Sequence, residues 1–297
     1  MDVDFQDSIP YLQPTEKWRS FPDQTETPPS EILQSMTVPQ DMGKTLDIER
    51  KRAETGYRDV DKTIRAVLFD LDDTLLVNDM RRFVKEYFDL LTPGMAHLVP
   101  PKKFITALLG ATYAMMKNRN PAFTNQQVFM DHFFPSVGRT AEEMMPLFEE
   151  FYESRFGSLR SLTRPNPAAR LAVKTAIDTG CEVVVATNPI FPETAMRQRM
   201  DWAGISDLPF RLVTSYEIMH SAKPNPFYYR EILKLIGRRP EECVMVGDDW
   251  INDMEPAMEV GINVFWIQET AGSKNTPASP PLGPLSDFRD WFLGVLG

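Results

Sequence analysis

The sequence predicts an α/β protein: a doubly wound, Rossmann-like parallel sheet core with an inserted helical subdomain. Three observations predict it. Short, nearly continuous apolar runs recur between residues 64 and 267, as expected for strands buried on both faces. Single helices alternate with the later runs, which implies right-handed crossovers and parallel pairing. The interval 79–163 breaks that alternation and carries helical patterns only.

The elements follow in order. Residues 1–62 hold Pro10, Pro14, Pro22, Pro28, Pro29 and Pro39 and no sustained periodicity, so they read as an extension, disordered or draped on the domain. Within it Lys44 to Tyr57 has helical character, and Tyr11, Trp18 and Phe21 form an aromatic cluster suited to docking. The α/β core is then expected at 63–78 and 164–297, with the helical insert at 79–163 between them. IRAVLFDL (64–71) is the first strand. The insert follows as RRFVKEYFDLL, KKFITALLGATYAMM, NQQVFMDHFF and AEEMMPLFEEFYESRF, punctuated by Pro93, Pro100, Pro101, Pro121 and Pro135. Met115, Met116, Met144 and Met145 are read as its core. Asn166 and Pro167 make an N-cap and first-position pair for the next helix, which Gly180 closes. CEVVVAT (181–187), FRLVTS (210–215), CVMVGD (243–248) and INVFWI (262–267) are the later strands, with helices opened by Pro192 and Pro226 between them. A Pro-rich linker ends in a short helix with Phe288, Trp291, Phe292 and Val295 on one face.

Composition narrows the function. The 297 residues are 42% hydrophobic and 25% charged, as in a soluble globular chain. A net charge of −10 opposes nucleic acid and anionic membranes, and makes any phosphate site depend on a local cation. The longest uncharged apolar stretch, Phe104–Met116, is 13 residues. A bilayer span takes about 20. MDVDFQDSIP lacks a basic and then apolar leader, so no signal peptide is expected. Cys181 and Cys243 are read as buried hydrophobes in a reducing cytoplasm. His97, His132 and His220 stand apart, without metal-ligand spacing.

In doubly wound sheets ligands bind at the carboxyl ends of strands. There this sequence places FDLDDTL (69–75), Thr187-Asn188, and Gly247-Asp248-Asp249 followed by Asn252-Asp253, with Lys223 in a turn between the third predicted strand (210–215) and the fourth (243–248). This constellation resembles the haloacid dehalogenase-like hydrolase superfamily, in its phosphatase branch with a helical cap. FDLDDTL fits its D-x-D-x-T motif, VVVATN the apolar strand ending in Thr or Ser, Lys223 the lysine ahead of a helix, and GDDWIND the final acidic motif. All four occur in the family's order and cover residues 64–267.

The residue types suit the chemistry which that resemblance implies. Asp70 would be the nucleophile, forming an aspartyl-phosphate that splits one hard step into two. Asp72, two residues on, would protonate the leaving oxygen and then deprotonate the attacking water. Mg²⁺ takes oxygen ligands and relieves repulsion between carboxylates; Asp70, the Asp72 main-chain carbonyl and Asp248 would hold it. Thr187, the Asn188 backbone N–H and Lys223 would bind phosphoryl oxygens. By resemblance, Asp249 and Asp253 would hold metal-bound waters or the lysine. Asp73 and Asn252 are read as local turn or capping groups. Dehalogenases of this family lack the second Asp of the first motif, so Asp72 favours phosphoryl transfer. A helical cap implies a small-molecule phosphate ester as substrate. The alternatives are a phosphomutase of the same fold and a catalytically weak binding protein or scaffold. The extension 1–62 offers a handle for a protein partner.

Overall fold

A computed structural model describes residues 64–268 and 280–296. The extension read over 1–62, with its aromatic cluster and helical stretch, lies outside the described residues.

Parallel strands β1 (Ala66–Phe69), β4 (Glu182–Val185), β5 (Leu212–Val213), β6 (Cys243–Gly247), β7 (Asn263–Ile267) and β8 (Leu282–Gly283) form one sheet in the order β5-β4-β1-β6-β7-β8. Alternating side chains point to opposite faces of a strand, and both faces here are covered. Val67, Phe69, Val185 and Val246 face α5 (Ala169–Asp178) and α9 (Leu285–Leu296), while Ala66, Leu68, Val184 and Met245 face α7 (Pro226–Ile236) and α8 (Glu255–Val260). That is why the strand sequences read as continuous apolar runs.

The chain leaves β1 toward β4 and β5, then returns to add β6, β7 and β8 on the other side. The strand order therefore reverses beside β1, and the carboxyl ends of β1, β4 and β6 meet at that point. The terminal helix α9 seals one face. Phe288 sets its ring edge-on to Phe69 and Phe265 at 5.4 and 5.6 Å.

The interruption in the alternation is four helices: α1 (Met80–Met95), α2 (Pro101–Lys117), α3 (Asn125–Val137) and α4 (Ala141–Ser154). Thr124 with Gln127, and Thr140 with Glu143, build reciprocal capping boxes that start α3 and α4. Their apolar faces meet around Phe104, Phe133, Phe148 and Phe156, all buried. Of the four methionines read as core, Met115 and Met144 are fully buried. No helix among the described residues is long and apolar enough to cross a membrane.

Several local expectations are corrected. Pro93 and Pro135 lie inside α1 and α3 rather than between helices. Each sits in a last turn, where the missing N–H interrupts little of the ladder that follows. Helix α5 begins at Ala169, because Asn166 first makes a turn of its own: its side chain and its carbonyl accept from the Ala168 and Ala169 N–H groups. The run 210–215 contributes only the two-residue strand β5. Two short strands, β2 (Leu76–Asn78) and β3 (Thr163–Pro165), form an antiparallel ribbon that the sequence reading did not include. This ribbon joins both ends of the helical insert to the core.

The insert is fastened to the core elsewhere as well. The Asn125 and Gln126 N–H groups bond to the Met219 and Tyr216 carbonyls at 2.7 and 2.8 Å. The Asn125 amide reaches Pro189 O and Ser221 O, and the Asn118 amide reaches His220 O.

Candidate active site

The central group is built from the ends of β1 and β6 and the turn before α7. Asp70 directly follows β1, its N–H extending the ladder to Val246 O at 2.9 Å, and it is 8% exposed. Lys223, 2% exposed, donates to Asp70 Oδ1 and to Asp253 Oδ1, both at 2.6 Å. Asp70, Asp248 and Asp253 offer carboxylate oxygens within 4.8 Å of one another.

Local structure explains how Asp253 reaches that place. Asp249 caps the turn Trp250–Met254, accepting from the Ile251 and Asn252 N–H groups and from the Asn252 amide. The turn is one residue wider per circuit than an α-helix, as such turns often are near functional sites. Asp253 thus folds back over Gly247, and its Oδ2 accepts the Asp249 N–H at 3.2 Å. A Cβ at Gly247 would stand 2.2 Å from that oxygen. Gly247→Ala should therefore cost about 2–3 kcal/mol or more, since Asp253 cannot yield without releasing Lys223. A Gly247→Ala melting temperature equal to the parent's would refute this account.

The turn after Asp70 is shaped by Asp73. It adopts φ 53°, a left-handed conformation that Asp tolerates, and accepts the Asn78 N–H at 2.9 Å. Thr74, buried, donates to Asp248 Oδ1 at 3.4 Å.

Charge is unevenly shared. Three carboxyl groups, Asp70, Asp248 and Asp253, crowd around the single ammonium of Lys223, which touches two of them. Burial raises the Asp70 and Asp253 carboxyls, with Lys223 working against the rise. Burial, and then the Asp70 and Asp253 charges, push Asp248 well up. Burial opposes the charged form of Lys223, but Asp253 and Asp70 outweigh it and hold the ammonium well above its usual range. An all-oxygen cluster whose carboxyls resist ionisation without a further cation fits one hard divalent cation, Mg²⁺ above the softer metals.

The other expected residues lie as follows. Thr187 lies two residues beyond β4, buried, and its carbonyl accepts the Thr214 and Tyr228 hydroxyls at 2.7 and 2.8 Å. Asn188 follows, with its side-chain oxygen buried and without a hydrogen-bond partner among the described residues. The Asp72 side chain does not join the acidic cluster. It bonds to Arg199 and to the Asn78 amide, the latter at 3.0 Å. Asp249 serves its turn, and Asp253 holds the lysine.

Two residues were missed. Arg199, on α6 (Glu193–Trp202), is 1% exposed and lies 5.5 and 5.6 Å from the Phe83 and Phe191 rings. Its signal was legible: it shares a helix face with Ala195, Met196 and Trp202, where a charge is out of place without a buried partner. Asn125 links the loops bearing Asn188 and Lys223 through Pro189 and Ser221. Nothing in its surroundings marks it beyond the helix start.

Comparison with known proteins agrees with this geometry. Residues 64–261 match the haloacid dehalogenase-like hydrolase family. A glyceraldehyde 3-phosphate phosphatase of Pyrococcus furiosus is 25% identical over 213 residues, 70% of this chain and 82% of that protein. The crystal structure of a 2-haloacid dehalogenase from Pseudomonas syringae shares the fold, with TM-score 0.53 and 19% identity over 78% of this chain and 99% of that one. A phosphatase of the same family from Thermococcus onnurineus gives TM-score 0.47 and 20% identity over 77% of this chain and 98% of that one.

Proposed function

This chain belongs to the haloacid dehalogenase-like hydrolase family, and we propose that it is a Mg²⁺-dependent phosphatase acting on a small-molecule phosphate monoester through an aspartyl-phosphate on Asp70. One observation carries the reading: Asp70 directly follows the central strand β1 in contact with Lys223, with the Asp248 and Asp253 carboxyl oxygens within 4.8 Å. The similarity to a curated phosphatase supports it, as does the presence of Asp72.

In this mechanism an Asp70 oxygen attacks phosphorus and the bond to the ester oxygen breaks. Asp72 gives that oxygen its proton, and the alcohol leaves. Water then attacks the phosphorus of the acyl phosphate while Asp72 takes its proton back. Phosphate departs and Asp70 is restored. Thr187, the Asn188 N–H and Lys223 hold the phosphoryl oxygens. Asp70, the Asp72 main-chain carbonyl and Asp248 would hold Mg²⁺, which polarises the phosphoryl group and neutralises charge. Asp72 must leave Arg199 to act, so that pair sets its resting position. The core at 63–78 and 164–297 then breaks the bond, and the insert at 79–163 serves as a cap that excludes water. Both cysteines are buried and unpaired, which supports a cytoplasmic setting.

Hydrolysis of p-nitrophenyl phosphate tests the reading. Chelation should lower turnover about a hundred-fold or more, and Mg²⁺ should restore it where Zn²⁺ does not. Undiminished turnover in demetallated protein would overturn the metal's role. Release of free phosphate, rather than return of an isomeric ester, separates hydrolysis from a mutase reaction.

A further inference from the structure

A cavity of about 200 Å³ lies between the insert and the core. Side chains of α1 to α4 form one side, and the loops following β4 and β5 form the other. Rings of Tyr87, Phe88, Phe129, Phe148, Tyr152 and Phe191 make much of its wall. Its charged lining among the described residues is Glu149, Glu153 and Glu217, with no Lys, Arg or His of those residues beside them.

The three acids are not equivalent. Glu217 accepts the Glu193 N–H at the start of α6 with both oxygens, at 3.0 and 3.1 Å. Glu149 and Glu153, four residues apart on α4, form no ion pair among the described residues. Burial, then the charges of Glu217 and Glu149, push the Tyr216 hydroxyl up to about 12, so both carboxylates act on the space that Tyr216 lines.

Aromatic faces attract cations, most strongly where water is thin. Glu149 and Glu153, exposed at the rim of the same opening and without an ion pair among the described residues, add a solvent-screened attraction for cations and repulsion of anions. An uncharged apolar ligand would gain from the rings alone. Size adds a bound: a cavity of about 150 Å³ admits benzene, so this one accepts a single ring or branched aliphatic group together with an ammonium head.

We propose that this cavity binds an organic ammonium, a compact primary or quaternary amine with an apolar body. Its position relates it to the catalytic group. Phe191, a wall residue, lies 5.6 Å from the Arg199 guanidinium that holds Asp72, and Ile190 follows Asn188 by two positions. Where the phosphatase reading above holds, the amine is the alcohol portion of the ester, and the substrates are phosphate monoesters of amino alcohols. That last step rests on the phosphatase reading, whereas the amine site does not.

The test uses the full chain and three probes of equal size: 2-phenylethylamine, 2-phenylethanol and phenylacetate, with affinities read by ligand-observed NMR and calorimetry. The amine should bind about ten-fold tighter than the alcohol, and phenylacetate weakest. Glu149→Gln with Glu153→Gln should erase most of the amine's advantage and leave the alcohol's affinity unchanged. Competitive inhibition of p-nitrophenyl phosphate hydrolysis by the amine identifies the alcohol subsite; binding without inhibition identifies a free amine ligand. Equal affinities for amine and alcohol, or no binding of any probe, would overturn the proposal, and the parent chain alone decides this if the variant fails to fold. A chain that selects the amine but hydrolyses no ester would sink the phosphatase reading and leave this site standing.

Discussion

Asp70→Asn is expected to lower kcat by about 10⁴-fold or more, since loss of a covalent nucleophile is among the largest single-residue effects known in hydrolases. The fold should survive. The substitution removes one of three crowded carboxyl groups, and the amide oxygen can still accept from Lys223, which keeps Asp253 as its partner. Thermal stability should therefore equal or exceed the parent's. The paired measurement is kcat on p-nitrophenyl phosphate and the unfolding midpoint on one preparation. The nucleophile assignment is falsified if the variant folds and keeps near-parental kcat.

Lys223→Ala should damage activity and stability together. The side chain is the one cation touching Asp70 and Asp253 among the described residues. Removing one partner of a buried ion pair costs about 3–5 kcal/mol, because the remaining charges stay buried without compensation. Losing a donor to the transferring group costs about 10²–10³-fold in turnover, and every ester should suffer alike because all present the same phosphoryl group. The two losses can be separated. Adding Asp253→Asn removes one stranded carboxylate, so Lys223→Ala with Asp253→Asn should regain much of the stability and none of the activity. Unfolding midpoints for the single and double variants, measured in chelator, check this. A double variant no more stable than the single one would show that repulsion is not what Lys223 relieves.

The fold was legible where local pattern and burial coincide. β1, β4, β6 and β7 are covered on both faces, so apart from the leading Glu182 and Asn263 their sequences are apolar, and the runs of β1, β4 and β6 give way to polar residues at Asp70, Thr187 and Asp248. The ribbon β2–β3 escaped notice for the opposite reason. It pairs Leu76–Asn78 with Thr163–Pro165 across the entire insert, and three-residue strands carry no period to read. β8 is shorter still.

At the candidate site the residue types were legible, while the lysine's partner was offered only through the family resemblance, as Asp249 or Asp253, and no partner for the Asp72 side chain was read. Asp253 reads from sequence as one of four acidic groups near a helix start. Its bond to Lys223 depends on the wide turn after Asp249 and on the missing Cβ of Gly247. Asp72 was placed correctly along the chain, but its contact with Arg199 spans 127 positions, and no local spacing encodes it. Short-range periodicity reports which face a residue takes; it does not report what waits on the other side.

The fastening of the helical insert by Asn118 and Asn125 to the 216–221 loop bears on modularity. An insert attached only through the β2–β3 ribbon would be an exchangeable cassette, free to be swapped among relatives at two splice points. Here the loop that carries the complementary carbonyls also leads into Lys223. A graft of foreign helices between Asn78 and Thr163 would break those bonds and disturb the lysine's approach. The transplantable unit is discontinuous: the helices together with the 216–221 loop. Chimeras that move both should retain hydrolysis, and those that move the helices alone should lose it.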